Sequence, residues 1–279
     1  MENISTSFQL VQKVTPGGCT DFRDCLAVEE PLEIHLLYSD KGVQVDKCIS
    51  VTMRTPGNDE ELGVGFLFTE GIIQNREQVE KTNSLPFTNK VNIYLGKGVT
   101  PLLGNAERNF YTTSSCGVCG KSSIEAISTV SVFSNEPDEI RISPALFYGL
   151  ESILKKEQAV FNNTGGLHAS ALFDLSGNLL LLREDVGRHN ALDKLIGKRF
   201  LDSMLPLNEN ILLLSGRASF ELIQKAVMAG IRTIAAIGAP STLASQLAES
   251  SGITLLGFLG KSRFNIYTGA QRIITDLPQ

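Results

Sequence analysis

No uncharged apolar run in this chain reaches about 18 residues, which excludes a membrane-spanning helix. The start, Met1-Glu-Asn-Ile-Ser-Thr-Ser7, lacks a basic segment followed by an apolar one, so no export signal is visible and a cytoplasmic location is expected. Neither an internal repeat nor a low-complexity tract is present, which removes solenoids and disordered linkers from consideration. Excess charge of one sign is missing too. A net charge of -5 argues against nonspecific nucleic-acid binding and leaves a small-molecule or protein partner. Neither a Walker A string nor a G-x-G-x-x-G is found, so ATP and NAD sites are not indicated. With 3 histidines, none beside a second cysteine pair, the chain does not spell out a four-ligand zinc site, and no structural metal is expected.

What is present is a pair of thiols in a setting that cannot build a core. The chain has 5 cysteines, Cys19, Cys25, Cys48, Cys116 and Cys119. In a protein without an export signal these read as thiols or ligands before disulfides. Cys116 and Cys119 lie in Tyr111-Thr-Thr-Ser-Ser-Cys-Gly-Val-Cys-Gly-Lys-Ser-Ser123, and the stretch Gly96–Ser123 around them is small, polar and without a period of 2 or 3.6. A structureless stretch of that length in a compact protein points to function or disorder. Three chemistries suit the pair: a zinc half-site, a redox dithiol, or a nucleophilic, sulfur-carrying thiol. Lys121 favours the thiolate, which is the reactive form. Cys19, Cys25 and Cys48 read as buried free thiols.

The first half of the chain reads as strands, at Phe8–Val14, Leu32–Tyr38, Val43–Met53 and Val91–Leu95. One helix is expected over Asp59–Glu70, capped by the Asn58 side chain, with acidic residues in its first turn and Gly71 at its end. Ser122–Phe133 fits helix or strand, and Ser134-Asn-Glu-Pro-Asp138 reads as a boundary. The second half alternates. A helix starts at Ser143-Pro144 and runs to about Gln158; Ala169–Phe173 and Leu179–Arg183 form a hairpin; a helix follows over Arg188–Ile196. Strand Ile211–Leu214, helix Ser219–Ala229, strand Thr233–Ile237, helix Thr242–Ser250 and strand Thr254–Phe258 complete the series. Strands separated by helices require crossovers, hence a partly parallel sheet with helices on its faces. Ligands on such sheets bind beyond the carboxyl ends of the strands.

Chemistry-bearing residues gather at those ends. His168 directly precedes a strand of the hairpin, and Asp185, Arg188 and His189 follow its partner strand, so the four are expected at one edge, as a solvated cap or as an anion site. Glycines 165, 166 and 187 let backbone approach a ligand. The strand–turn–helix units Ser215-Gly-Arg217-Ala-Ser219 and Gly238-Ala-Pro-Ser-Thr242 place N–H groups and hydroxyls at helix starts, where phosphate binds, although plain Ser/Thr capping has the same appearance. Arg217 tilts the first turn toward an anion. Lys261 and Arg263 sit on a glycine-punctuated turn after the last strand that is suited to closing over a phosphorylated ligand, although an ordinary basic surface loop is the first reading.

Taken together, several strings resemble one family, the FdhD/NarQ formate dehydrogenase accessory sulfurtransferases. They are Arg54-Thr-Pro-Gly-Asn-Asp-Glu-Glu-Leu62, Gly65-Phe-Leu67, Glu70-Gly-Ile72, Ser114-Ser-Cys-Gly-Val-Cys-Gly-Lys121 and Thr164-Gly-Gly-Leu-His-Ala169. Glu184-Asp-Val-Gly-Arg-His-Asn-Ala-Leu-Asp-Lys194, Leu214-Ser-Gly-Arg-Ala-Ser-Phe-Glu-Leu222, Ala239-Pro-Ser241 and Phe264-Asn-Ile-Tyr267 continue the match, in order, from about residue 50 to the end.

The resemblance implies a mixed α/β (α+β) protein: a β-rich N-terminal lobe over 1–142 carrying the cysteine loop at about 97–123, then a cytidine-deaminase-like, three-layer domain over 143–279. It implies a sulfur carrier, loaded by a cysteine desulfurase, that passes persulfide sulfur to the molybdenum (or tungsten) bis(guanine dinucleotide) cofactor destined for formate dehydrogenase. Cys116 would carry the persulfide and Cys119 assist. Phe258, Leu259, Gly260, Lys261, Ser262 and Arg263 fall where the family binds that guanine-nucleotide cofactor, which would also engage the Ser215-Gly216-Arg217 turn and the His168, Asp185, Arg188, His189 cluster. A homodimer is implied as well. Two competing classes remain. A zinc-dependent deaminase needs H-x-E followed by P-C-x-x-C, but residue 170 is Ser and the cysteine pair precedes His168. A chaperone that binds and delivers the cofactor without sulfur chemistry would need neither cysteine.

Overall fold

A computed structural model describes residues 4–85, 88–103, 131, 133 and 138–275. Cys116, Cys119, most of the loop around them and nearly all of Ser122–Phe133 lie outside the described residues.

Three sheets organise the described residues. β1 (Thr6–Thr15) and β2 (Gly18–Ala27) form an antiparallel hairpin. β3 (Glu30–Asp40), β4 (Val43–Arg54), β5 (Val79–Leu85) and β6 (Lys90–Leu95) form a second sheet in the order β4-β3-β6-β5, with β3 and β6 parallel. β7 (His168–Asp174), β8 (Leu179–Asp185), β9 (Asn210–Leu214), β10 (Thr233–Ala236), β11 (Thr254–Gly257) and β12 (Asn265–Thr268) form the third, in the order β12-β11-β10-β9-β7-β8. Its centre, β9-β10-β11, is parallel; the remaining pairs are antiparallel. Helix α1 (Asp59–Thr69) lies between β4 and β5, α2 (Pro144–Glu157) and α3 (Ala159–Thr164) precede β7, α4 (Arg188–Leu201) follows β8, α5 (Phe220–Met228) follows β9 and α6 (Thr242–Ser250) follows β10. The expected mixed α+β architecture is therefore the observed one.

Side-chain alternation explains the layering. On β9, Ile211 and Leu213 face a core shared with Phe147, Leu150 and Leu154 of α2. Leu212 and Leu214 face the opposite core, with Leu192, Leu195 and Ile196 of α4 and Leu222 and Ile223 of α5. A period of 2 on a strand buried on both faces produces such a split, and it yields a helix–sheet–helix sandwich. The second of these cores does not stop at position 142. Leu62, Val64, Leu67 and Phe68 of α1 belong to it, as do Leu32, Ile34 and Leu36 of β3 and Val91 and Ile93 of β6. Helix α1 is thus packed between the four-stranded sheet and α4.

The crossing of α1 and α4 is set by two glycines. A methyl group on Gly65 would overlap the carbonyl of Asp193 and lie 3.0 Å from the Gly197 nitrogen. One on Gly197 would overlap the carbonyl of Glu61 and lie 2.8 Å from the Gly65 nitrogen. Backbone meets backbone at this point. Around it, Arg183 of β8 holds Glu61 of α1 through Nε, at 2.5 Å, and Nη2, at 2.8 Å.

Several expectations are corrected. Asn58 occupies the N-cap of α1, but its side chain makes no cap bond. It adopts the left-handed conformation with φ of 58°, which asparagine tolerates, and the backbone carbonyl takes the first helical bond from Leu62 N at 2.9 Å. Gly71 does end the helix, with φ of 73° and its N–H donating to Phe68 O. Strands β2, β5 and β12 are additional to those read from the sequence. Cys19, Cys25 and Cys48 are free thiols, but none is buried: Cys19 is exposed on the hairpin and the other two are half-buried. The β1–β2 hairpin is exposed along most of its length, so its cysteines have no core to enter.

The glycine crossing yields a paired expectation. Gly197→Ala should destabilise the protein by about 2 kcal/mol or more, because the helices must separate to admit a methyl group. Gly149→Ala, on the open side of α2 where the methyl meets nothing within 4 Å, should stabilise by about 0.5–1 kcal/mol. Denaturant unfolding of both variants checks the contrast, and equal effects would contradict it.

Candidate functional site

The turns after β9, β10 and β11 are stitched into one ledge at the carboxyl end of the parallel strands. Gly238 N donates to Gly216 O at 3.0 Å, Ala218 N to Ala239 O at 3.2 Å, Ser241 N to Ala218 O at 3.0 Å and Phe258 N to Gly238 O at 3.1 Å. Gly238 suits this stacking, since a methyl there would lie 3.0 Å from Arg217 Cγ and 3.1 Å from the Arg217 backbone, closer than ordinary contact. Three expected site segments therefore lie side by side: Ser215-Gly216-Arg217, the turn before α6, and Phe258 to Arg263.

Within them the residues divide by exposure. Arg217, Phe258, Lys261, Ser262 and Arg263 are exposed. Phe258 holds φ of 53°, a strained setting for a large side chain, and presents its ring to solvent with 49% exposure. Gly260 N donates to Arg263 O at 3.0 Å and closes the basic turn. Leu259 points the other way and is buried in the α2-facing core, anchoring the turn. Ser215 Oγ accepts a 2.8 Å bond from Ala169 N, and Ser215 N donates back to Ala169 O at 3.0 Å. That residue holds the ledge to β7.

β7 brings in the second expected cluster. His168 and Asp185 are register partners on β7 and β8. A methyl on Gly216 would lie 3.4 Å from His168 Nδ1, so the glycine and the imidazole are neighbours. His189, in the first turn of α4, places Nε2 4.0 Å from Glu221 Oε2, in the first turn of α5. His168, Arg188 and His189 sense one another electrostatically. The predicted grouping at one edge is observed.

The histidines are held neutral. Burial, followed by the cations Lys225 and Arg188, pushes His189 down from the ordinary 6.5 to about 3, against the opposing charge of Glu70. Burial and Arg188 also lower His168, partly countered by Asp185. Among the described residues, two polar atoms at this edge are buried without a hydrogen-bond partner: His189 Nε2 and Ser219 Oγ. Ser219 is the N-cap of α5 but makes no cap bond, whereas Ser241, the N-cap of α6, accepts from Ala244 N at 3.2 Å. The start of α6 is closed on itself. The start of α5 is not, and it lies beside Arg217, in the setting that suits an anionic group.

Asp185 is fully buried and belongs to the frame. Its Oδ2 is 2.7 Å from Lys194 Nζ and accepts from Thr55 N at 3.1 Å. Its Oδ1 accepts from Gly187 N at 2.8 Å and Asn190 Nδ2 at 3.2 Å. Lys194 completes the link by donating to Thr55 O at 2.8 Å. A second buried pair, Asp193–Lys225 at 2.9 Å, is bridged by the Thr69 hydroxyl. The sequence marks Ser219 as a helix-start hydroxyl, but it does not single out Lys194, Asp193 or Lys225. The available signal was charge at positions where a helix should present apolar residues.

Beyond the geometry, comparison places the chain among known proteins. A family profile, that of the FdhD/NarQ family, matches residues 27–274. A "Sulfur carrier protein FdhD" of Mycolicibacterium paratuberculosis is 48% identical, covering 96% of this chain and 98% of the relative. One of Sulfolobus acidocaldarius is 41% identical, covering 94% and 96%. A crystal structure of a putative formate dehydrogenase accessory protein from Desulfotalea psychrophila superposes with a TM-score of 0.72 at 23% identity, over 96% of this chain and 99% of that one, and shares the fold. Among the described residues, no helix is long and apolar enough to cross a membrane.

The depressed His189 value carries a pH signature. Unfolded chain takes up a proton at 189 below about 6.5 and native protein does not until about 3, so the stability tied to a neutral His189 is complete above 6.5 and is lost as pH falls toward 3. Histidine NMR resonances should therefore show no titration step for His189 between pH 8 and 5, and a step near 6.5 would disprove the buried-neutral assignment.

Proposed function

The chain belongs to the FdhD/NarQ family, and on that premise we propose that it is a sulfur carrier in formate dehydrogenase maturation. A cysteine desulfurase supplies the sulfur. The Cys116 thiolate attacks the outer sulfur of the donor's persulfide; the donor's S–S bond breaks, its thiolate leaves, and a persulfide forms on Cys116. Cys119 assists the onward transfer, and Lys121 favours the thiolate form. The acceptor is the bis(guanine dinucleotide) form of the molybdenum or tungsten cofactor, bound as substrate. Homodimer formation and a cytoplasmic location belong to the same proposal.

The observation that carries the acceptor side is the uncapped start of α5, with the orphaned Ser219 hydroxyl, beside exposed Arg217 on a ledge of three backbone turns. A nucleotide diphosphate matches this arrangement: its oxygens accept from helix-start N–H groups and pair with a guanidinium. Exposed Phe258 offers a ring face to a base, and Lys261 and Arg263 add positive charge beside it. Neutral His168 and His189 keep repulsion among the surrounding cations low and leave ring nitrogens free to take part in hydrogen bonds.

Two readouts test this. After incubation with a cysteine desulfurase and cysteine, mass spectrometry of the loop peptide should find added sulfur on Cys116 in the wild type and none in Cys116→Ser, and the variant should leave formate dehydrogenase inactive in cells. Full restoration by Cys116→Ser would refute the assignment, and survival of both cofactor binding and activity without either cysteine would favour a pure chaperone. Separately, Arg217→Ala should weaken guanosine diphosphate binding about 10-fold or more, the loss expected for a charged hydrogen-bonding partner.

A further inference from the structure

One face of the four-stranded sheet packs on α1, where Leu32, Ile34 and Leu36 of β3 enter the core, while the alternating Glu33 on the other face is exposed. On that open face Glu33, His35 and Cys48 bring a carboxylate oxygen, an imidazole nitrogen and a thiol sulfur within 4.8 Å of one another. A β-bulge between Ile34 and His35 makes the arrangement possible. It shifts the register so that His35 pairs with Cys48, after Ile34 has paired with Ser50.

The imidazole is held from both sides. Its Nε2 is 3.0 Å from Glu33 Oε2, and its Nδ1 is 2.5 Å from Asp46 Oδ1. Asp46 is in turn 3.4 Å from Lys90 Nζ. The neighbouring strand supplies an independent sign. Asn92 of β6 is the register partner of His35 and faces the same side of the sheet; it is 8% exposed, and its carbonyl Oδ1 is buried with no hydrogen-bond partner among the described residues. A buried carbonyl oxygen without a donor is costly unless a donor or a cation satisfies it.

We propose that Glu33, His35 and Cys48 form a binding site for a zinc-class divalent cation. The donor set of one thiolate, one imidazole and one carboxylate suits zinc and cobalt, and is unsuited to magnesium or calcium, which take oxygen ligands. Asp46 is the positioning residue. By accepting from Nδ1–H it fixes the tautomer that leaves Nε2 free for the metal, as carboxylates do behind metal-bound histidines. The fourth position falls to Asn92 Oδ1 or water. A cation here would cross-link β3 to β4 at the bulge and stabilise the native state in proportion to its occupancy. The site lies on a different sheet from the ledge and uses neither Cys116 nor Cys119, so it is independent of the sulfur-transfer reading.

The test uses the full chain carrying Cys116→Ser and Cys119→Ser, so that the loop thiols do not contribute. Chelator-treated protein is titrated with zinc, and separately with cobalt. One zinc per chain, a raised Tm and a thiolate-to-cobalt charge-transfer absorption are expected. Adding Cys48→Ser should abolish that absorption and weaken binding at least 10-fold, while Asp46→Asn should retain the absorption and weaken binding about 10- to 100-fold. Absence of stoichiometric zinc binding, or an unchanged cobalt spectrum in Cys48→Ser, would overturn the proposal. Should Cys48→Ser fail to fold, alkylation of the parent protein read peptide by peptide decides: zinc protects Cys48 if the proposal holds, and Cys48 alkylated at the same rate with and without zinc overturns it.

Discussion

The fully buried ion pair between Asp185 and Lys194 is the interaction on which the rest of the arrangement depends. A charge inside a protein must be satisfied completely or it destabilises the fold by several kcal/mol (about 3–5 when one partner is removed). Asp185 meets that demand with donors from two parts of the chain: Thr55 from the turn after β4, and Gly187, Asn190 and Lys194 from the start of α4. Asn190 also donates to Met53 O at 2.7 Å, and Lys194 to Thr55 O at 2.8 Å. The end of β4 therefore cannot shift against the start of α4 without exposing or orphaning a charge. Since Arg188 and His189 open α4, their position beside the ledge is inherited from this constraint.

Immediately along the same helix, the constraint changes from charge to volume. Gly65 and Gly197 bring the α1 and α4 backbones into contact, and the Asp193–Thr69–Lys225 network continues the join to α5. Arg54 ties the other end of α1: its guanidinium holds both oxygens of Asp59, each at 3.0 Å, and Asn89 Oδ1 at 3.0 Å. Helix α1 is clamped at its start, its middle and its end. The uncapped start of α5 is positioned by these joints, so the geometry of the ledge and the packing of the N-terminal sheet are parts of one arrangement.

Elements with strong periodicity or clear punctuation were legible from residues alone. β9, β10 and β11 are short β-branched or leucine-rich runs between glycine turns, and α1 ends at Gly71 as its sequence suggests. β2 was not legible: its residues, Gly18-Cys-Thr-Asp-Phe-Arg-Asp-Cys-Leu-Ala27, show no apolar alternation because neither face of the hairpin meets a core. β5 and β12 read poorly for a related reason, as edge strands with only one buried residue each. For the site, the ledge turns and the grouping of His168, Asp185, Arg188 and His189 followed from strand order and chain punctuation. Which of these residues are exposed and which belong to the frame did not. Leu259 and Ser215 are bound into the frame, and Asp185 is sealed inside it.

By itself the sequence determined the mixed α+β class, the βαβ rhythm of the second half, the placement of glycine turns at the carboxyl ends of strands, and the family. These are carried by local periodicity, turn chemistry and contiguous strings, all of which survive without knowledge of distant contacts. Only the tertiary structure decided the rest. It made Asp185 and Lys194 a satisfied pair, left Ser219 and His189 with atoms that have no partner among the described residues at one edge, lowered His189 to about 3, and brought His35 and Cys48 together across a bulge. Each of these depends on which atoms far apart in the chain exclude water together, and burial of that kind is a property of the packed fold that no local pattern encodes.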